Sequence, residues 1–117
     1  KPGEPLPMFG GGPTRNMVNL AATGVPEKPE PDGDAMLWKA DLGSRAYGGP
    51  TVGNGKILCG TNNERPRNPK RDAVKNADGE MEPVDRGVLM CFDMDGKFQW
   101  QAIFNKLESG QVNDWPK

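Results

Sequence analysis

The residues that offer chemistry in this 117-residue sequence are two cysteines, one basic run and two closely spaced aspartates. Two cysteines, Cys59 and Cys91, are too few for a disulfide framework or a closed zinc site. The sequence has no histidine, which excludes Ser-His-Asp and Cys-His nucleophilic sites, histidine-ligated metals and C-x-x-C-H haem attachment. We therefore predict no catalytic, cofactor-binding or metal-ligating residue in this chain.

The basic run, residues 65–71, reads RPRNPKR and places four positive charges within seven residues. It lies in a long polar loop predicted at residues 62–86, where six acidic side chains balance six basic ones. Loops longer than about 12–15 residues are usually functional or disordered. The run could seat an anion or an acidic partner. The alternative is a solvated loop, because the flanking acids cancel its charge.

Composition limits both the partners and the core. Fifteen basic and sixteen acidic side chains give a net charge of −1, so nothing favours nucleic acid or an anionic membrane as a partner. No apolar run approaches the roughly 18 residues of a membrane span, and the opening KPGEPLPMF lacks the apolar region of a signal peptide. Glycine and proline supply 28 residues, and Leu, Ile, Val and Phe only 20, so the chain can build only a thin core.

Local patterns predict an all-β chain. Residues 1–34 hold seven prolines and six glycines and are expected to form an extended arm. An apolar cluster in this arm could anchor it to something larger, and the alternative is a flexible tail. The cluster comprises Met8, Phe9, Met17, Val18 and Leu20. Alternation predicts strands at residues 36–42, 50–53 continuing into 56–60, 87–94 and 97–104. Asn54-Gly55 and Asp95-Gly96 both predict hairpin turns, and the same type of turn at each. No segment has helical periodicity.

A weak internal repeat relates two of these strands. Trp38 and Trp100 each begin a W-x-A pattern, and they lie 62 residues apart, or 40 when the 22 residues 64–85 are left out. A period near 40 with four short strands is typical of a β-propeller blade.

The repeat resembles the pyrroloquinoline-quinone-type (quinoprotein-like) propeller family, and most closely its exported members of planctomycete type. The resemblance covers residues 7–20 and 36–104. The first part of the repeat is matched at Gly49, Pro50, Val52, Gly55, Ile57 and Gly60, and the second at Leu89, Asp93, Asp95, Gly96 and Trp100. The resemblance implies a periplasmic or extracellular protein. Asp93 and Asp95 are interpreted as turn residues of the repeat.

The family's catalytic set cannot be carried over. Quinoprotein dehydrogenases use a vicinal cysteine pair, a catalytic aspartate and a calcium site contributed by several blades, and no position here matches them. We therefore expect no cofactor in this chain, and pyrroloquinoline quinone and calcium could be bound only in a complete propeller. Cys59 and Cys91 lie on predicted neighbouring strands, where they could form a disulfide in an exported protein or be two small buried side chains.

The predicted organisation is an arm at 1–34, a blade at 35–104 and the start of a connection to the next blade at 105–117. A closed propeller needs at least four blades of about 40 residues, so we expect the chain to be incomplete alone, with the rest of the propeller or another chain as its partner. The primary functional hypothesis is a binding or scaffold module. The alternatives are a fragment of a quinone-dependent dehydrogenase and an accessory subunit of a redox complex.

Overall fold

The computed structural model describes residues 8–15, 17–20 and 22–107, and their regular elements are nearly all β-strands. The elements are β1 (Thr51–Gly53), β2 (Lys56–Asn62), α1 (Pro69–Asp72), β3 (Ala73–Lys75), β4 (Met81–Pro83), β5 (Arg86–Asp93) and β6 (Phe98–Asn105). The main sheet is antiparallel in the order β1-β2-β5-β6, and β3 and β4 form a separate hairpin. The predictions of an all-β chain and of the strands at 50–60, 87–94 and 97–104 are therefore confirmed, with shifts of one or two residues at their ends.

The prediction of a strand at residues 36–42 is wrong. The predicted alternation holds from Trp38 onwards, since Trp38, Ala40 and Leu42 are half-buried while Lys39 and Asp41 are exposed. Met36, on the inward side of the same pattern, is 40% exposed. However, this segment lies across one face of the sheet instead of along an edge, so its backbone joins no strand ladder. We call residues 36–45 the strap.

The sheet face beneath the strap contains the core. Val88, Met90 and Phe92 are at most 5% exposed and pack with partly buried side chains of the strap and the neighbouring strands, namely Ala40, Leu42, Ile57, Phe98 and Ile103. The Trp38 ring stacks on Phe92 with centroids 6.4 Å apart, and Phe98 meets Phe92 edge-on at 6.0 Å. We call this the covered face.

The predicted long loop is not irregular throughout. Residues 63–85, here called the insert, contain the four-residue α1 and the β3–β4 hairpin. Asn63, 2% exposed, connects the ends of the insert, since its Nδ2 donates to the carbonyl oxygens of Asp72 at 2.9 Å and Val84 at 2.8 Å. The insert is therefore an ordered branch of the sheet between β2 and β5.

The hairpin turns are of two kinds, which corrects the expectation of one. Asn54 and Gly55 both have positive φ, 49° and 69°, as a two-residue type I′ turn requires. At the β5–β6 turn only Gly96 has positive φ, and Asp93 Oδ1 accepts hydrogen bonds from the amides of Asp95 (3.0 Å) and Lys97 (2.9 Å). The β3–β4 turn has this second pattern, with Asn76 Oδ1 accepting from the amides of Asp78 and Glu80.

The arm has no regular secondary structure in its described residues, and the side chains of its apolar cluster are exposed. Exposure is 36% at Met8, 64% at Phe9, 65% at Met17, 60% at Val18 and 96% at Leu20. The connection predicted at 105–117 lies outside the described residues from residue 108 onwards.

Candidate interaction surfaces

The second face of the main sheet is apolar and incompletely covered. The β2–β5–β6 register places Leu58 and Gly60, Leu89 and Cys91, and Trp100, Ala102 and Phe104 on this side. Trp100 is 46% exposed and Phe104 58% exposed. No described helix or strand outside the sheet packs against it, and the strap lies on the opposite side. We call this the bare face.

The two cysteines are free, as in the alternative of two small buried side chains, but only Cys91 is buried and Cys59 is half-buried. Their strands are antiparallel neighbours as expected, but Cys59 pairs in register with Met90, and Cys91 with Leu58. Because successive side chains alternate across a sheet, the two thiols lie on opposite faces and cannot be bridged. Cys91 is fully buried on the bare face, whereas Cys59 is half-buried and its burial raises the pKa of its thiol.

The insert contains a wholly buried carboxylate, that of Asp72. Arg71 donates to it through Nε to Oδ1 and through Nη2 to Oδ2, both at 2.9 Å, and Arg86 Nη1 lies 3.4 Å from Oδ1. These contacts raise the pKa of the Arg71 guanidinium through its hydrogen bond to Asp72 and the attraction between their charges. A buried carboxylate of this kind needs its cationic partners, because losing them would leave an uncompensated charge. No pattern in the sequence predicts this role of Asp72.

The basic run does not form one anion site. Arg67 donates through Nη2 to the carbonyl oxygen of Asp41 at 3.1 Å, and its guanidinium lies 4.1 Å from the centre of the Phe98 ring, so it fastens the strap. Arg71 binds Asp72, while Arg65 and Lys70 are exposed. The structure thus assigns two of the four cations to internal contacts.

Two cavities flank the insert, and three of the four cations of the run line one or the other. Arg65 and Arg67 line a groove of about 580 Å³ together with strap residues and the Met90 side chain. Arg71 lines a separate, polar cavity of about 380 Å³ with Asp72, Arg86 and Gln101. The excess of charge in the second cavity is small, because Asp72 neutralises one of its two guanidinium groups.

Asp93 has the turn role predicted for it. Besides the two amides, its Oδ2 accepts a hydrogen bond from Gln99 Nε2 at 3.0 Å. The Trp38 indole Nε1 donates to the carbonyl oxygen of Met94 at 3.0 Å, so the same turn also receives the strap. Asp95 is exposed at the turn.

Comparison of the chain with protein-family models, curated proteins and solved structures returned no match. Within the described residues, no three His, Cys, Asp or Glu side chains form a group that could hold a metal ion. No helix in the described part of the chain is long and apolar enough to cross a membrane.

Proposed function

We propose that this chain is one blade of an exported quinoprotein-like β-propeller and serves as a binding or scaffold module. A neighbouring blade, supplied by further sequence or by a partner chain, covers the bare face. The support in the fold is a sheet of four antiparallel strands connected in sequence order, which is the arrangement of a propeller blade.

The exposure of the bare face is the observation that carries the proposal. A sheet with apolar side chains on both sides needs a layer against each, because burial of a large apolar side chain stabilises by about 1.5–3 kcal/mol only when a surface exists to receive it. The strap provides that layer on one side. Trp100 and Phe104 stand about half exposed on the other, where a second sheet would bury them.

Positions of the repeat pattern support the same proposal. Gly49 and Pro50 precede β1, Gly55 lies in its turn, and Asp93 and Gly96 form the turn before β6. Each of these residues lies in a turn or next to the end of a strand, as a recurring blade would require.

The insert is the surface proposed for partner recognition. It projects between β2 and β5, it is ordered by Asn63 and Asp72, and it presents the exposed cations of Arg65 and Lys70. A fixed loop on a rigid sheet is a common way to position binding residues. An acidic segment of a protein partner fits these two cations.

A photo-crosslinker at residue 89 tests the proposal in the native protein isolated from its source. Leu89 lies on the bare face of β5, an interior strand of the sheet, away from both edges. We expect p-benzoylphenylalanine at this position to capture a peptide from another blade, and the same group at the 90% exposed Leu37 to capture none. Capture of a non-propeller segment, or no capture at residue 89, would contradict the proposal.

Two measurements on the same preparation address the location and the competing redox hypotheses. Fractionation should place the protein in the periplasm or outside the cell. Its absorption spectrum should lack a bound quinone. Quinone absorbance together with calcium-dependent dye reduction would assign the parent protein to the dehydrogenases, and co-purification with haem proteins would favour an accessory redox subunit.

A further inference from the structure

The two edges of the main sheet differ in how well they are protected from pairing with another strand. β1 has only three residues and follows Gly49-Pro50 directly, so it offers little backbone to a partner. β6 has eight residues, FQWQAIFN, with no charge and no proline, and among the described residues it pairs only with β5. Charged side chains, prolines and short strands are the usual protection of an edge. β6 has none of the three.

The irregularity in the β5–β6 ladder lies at the start of β6 and leaves the rest of its edge regular. Cys91 pairs with Trp100, whereas Phe92 pairs with Phe98, so Gln99 is the extra residue. From Trp100 to Asn105 the register runs without a shift. Every second residue of this stretch turns its backbone N–H and C=O groups outward, because alternate residues of an antiparallel strand bond to opposite neighbours. Another extended strand could pair with this regular row.

We propose that β6 pairs antiparallel with β6 of a second copy of this chain, with Ala102 opposite Ala102 at the two-fold axis. Residues opposite each other in an antiparallel pair lie on the same face of the sheet. With Ala102 at the axis, Trp100 of each copy lies opposite Phe104 of the other. Two cross-strand aromatic pairs then form on the bare side.

The choice of a second copy rests on the composition of the strand and on its symmetry. An uncharged strand does not repel an identical strand, and a two-fold axis makes every contact occur twice. The neighbouring register, with Gln101 at the axis, would place Trp100 opposite Ala102 and would form no aromatic pair on the bare side. The backbone hydrogen bonds of the edge pairing lie along the edge of the sheet and do not require the bare face to be open, and only the two aromatic pairs lie on that face.

Sedimentation velocity of the full chain over a range of concentrations measures the association. We expect a monomer–dimer equilibrium whose dissociation constant rises roughly tenfold or more in Phe104→Lys, which removes both aromatic pairs and adds two charges. Leu37→Lys is the matched control, since Leu37 is 90% exposed and lies on the strap. This control should dimerise like the original chain. A monomer at all concentrations would overturn the proposal.

Hydrogen exchange separates edge pairing from stacking of two bare faces. Amides of β6 should exchange more slowly as the protein concentration rises, and amides of β1 should not change. The register is tested by oxidation of Ala102→Cys, which should form a reducible covalent dimer in higher yield than Gln101→Cys or the original chain. Dimerisation without added protection of β6, or preferential cross-linking through residue 101, would overturn the proposed pairing.

Discussion

The covered and bare faces of the main sheet are built from alternate residues of the same strands, yet they differ sharply in exposure. On β5, Val88, Met90 and Phe92 point under the strap and are at most 5% exposed. On the opposite side, Trp100 and Phe104 of β6 are 46% and 58% exposed. Within β6, Ile103 on the covered face is half-buried while Trp100 and Phe104 are exposed, although Cys91 on the bare face of the interior strand β5 is fully buried. Apolar alternation therefore defines two candidate cores, and the strap completes one of them.

The largest expected difference in stability is between variants of two phenylalanines, one on each face. Phe92→Ala removes a side chain that is 3% exposed and in contact with the rings of Trp38 and Phe98, and it should lower the free energy of unfolding by about 3–5 kcal/mol. Phe104→Ala should cost less than about 1 kcal/mol in the isolated chain. Urea denaturation of both variants measures the difference. Equal losses would mean that both faces are covered.

The next largest loss of stability is expected where the strap contacts the β5–β6 turn. A Cβ at Gly96 would lie 2.7 Å from Cγ and Cε3 of Trp38, while one at Gly55 would meet nothing within 4 Å, although both glycines have positive φ. Gly96→Ala should therefore destabilise more than Gly55→Ala by about 1–3 kcal/mol, the usual cost of overpacking. In a Trp38→Ala background this excess should disappear. An excess that persists would show that the indole is not its cause.

A smaller effect is expected at the far end of the strap. Asn62 Oδ1 accepts hydrogen bonds from the amides of Ser44 (2.9 Å) and Arg45 (3.1 Å), and its Nδ2 donates to Ser44 Oγ at 2.9 Å. Asn62→Ala should cost about 2 kcal/mol, since a single intramolecular hydrogen bond contributes about 0.5–1.5 kcal/mol. Asn105→Ala, which loses one exposed bond to Arg86, is the control. If the two variants unfold at the same urea concentration, the strap is not held by Asn62.

Sequence patterns predicted most of the sheet because strand alternation and turn chemistry are local. Asn54-Gly55 determined a type I′ hairpin through its own backbone preferences. The strap shows the limit of the same reasoning. Its alternation predicts correctly that Trp38, Ala40 and Leu42 turn inward, but a period of two does not distinguish pairing at an edge from crossing a face.

The interaction surfaces were less predictable, because they depend on contacts between distant parts of the chain. The basic run reads as four equivalent charges, whereas Arg67 reaches back 26 residues to Asp41 and Arg71 binds its neighbour Asp72. The burial of Asp72 depends on the packing of the insert, which charge counting does not show. The paired asparagines Asn62 and Asn63 at the end of β2 were the available hint, since buried amides join segments that lack a common ladder.

The smallest effect is expected in the reactivity of the two thiols, which lie on opposite faces of the sheet. Cys91 is wholly buried although it lies on the bare face, and its neighbours across the ladder are Leu58 and Trp100. Cys59 is half-buried on the covered face, where burial raises the pKa of its thiol. Because the thiolate is the reactive form, Cys59 should be alkylated more slowly than an unperturbed thiol at neutral pH, and its rate should keep rising until the pH passes that raised pKa.

Cys91 should resist the reagent until the sheet opens, whatever the pH. Trp100→Ala should therefore expose Cys91 to alkylation in the folded chain, with little change at Cys59, because the indole lies directly across the ladder from Cys91. Leu107→Ala is the control, since Leu107 is 76% exposed and follows β6. Mass spectrometry of peptides from a timed labelling series resolves the two sites. Rapid labelling of Cys91 in the original chain would mean that the bare face opens readily and that Trp100 does not protect the thiol.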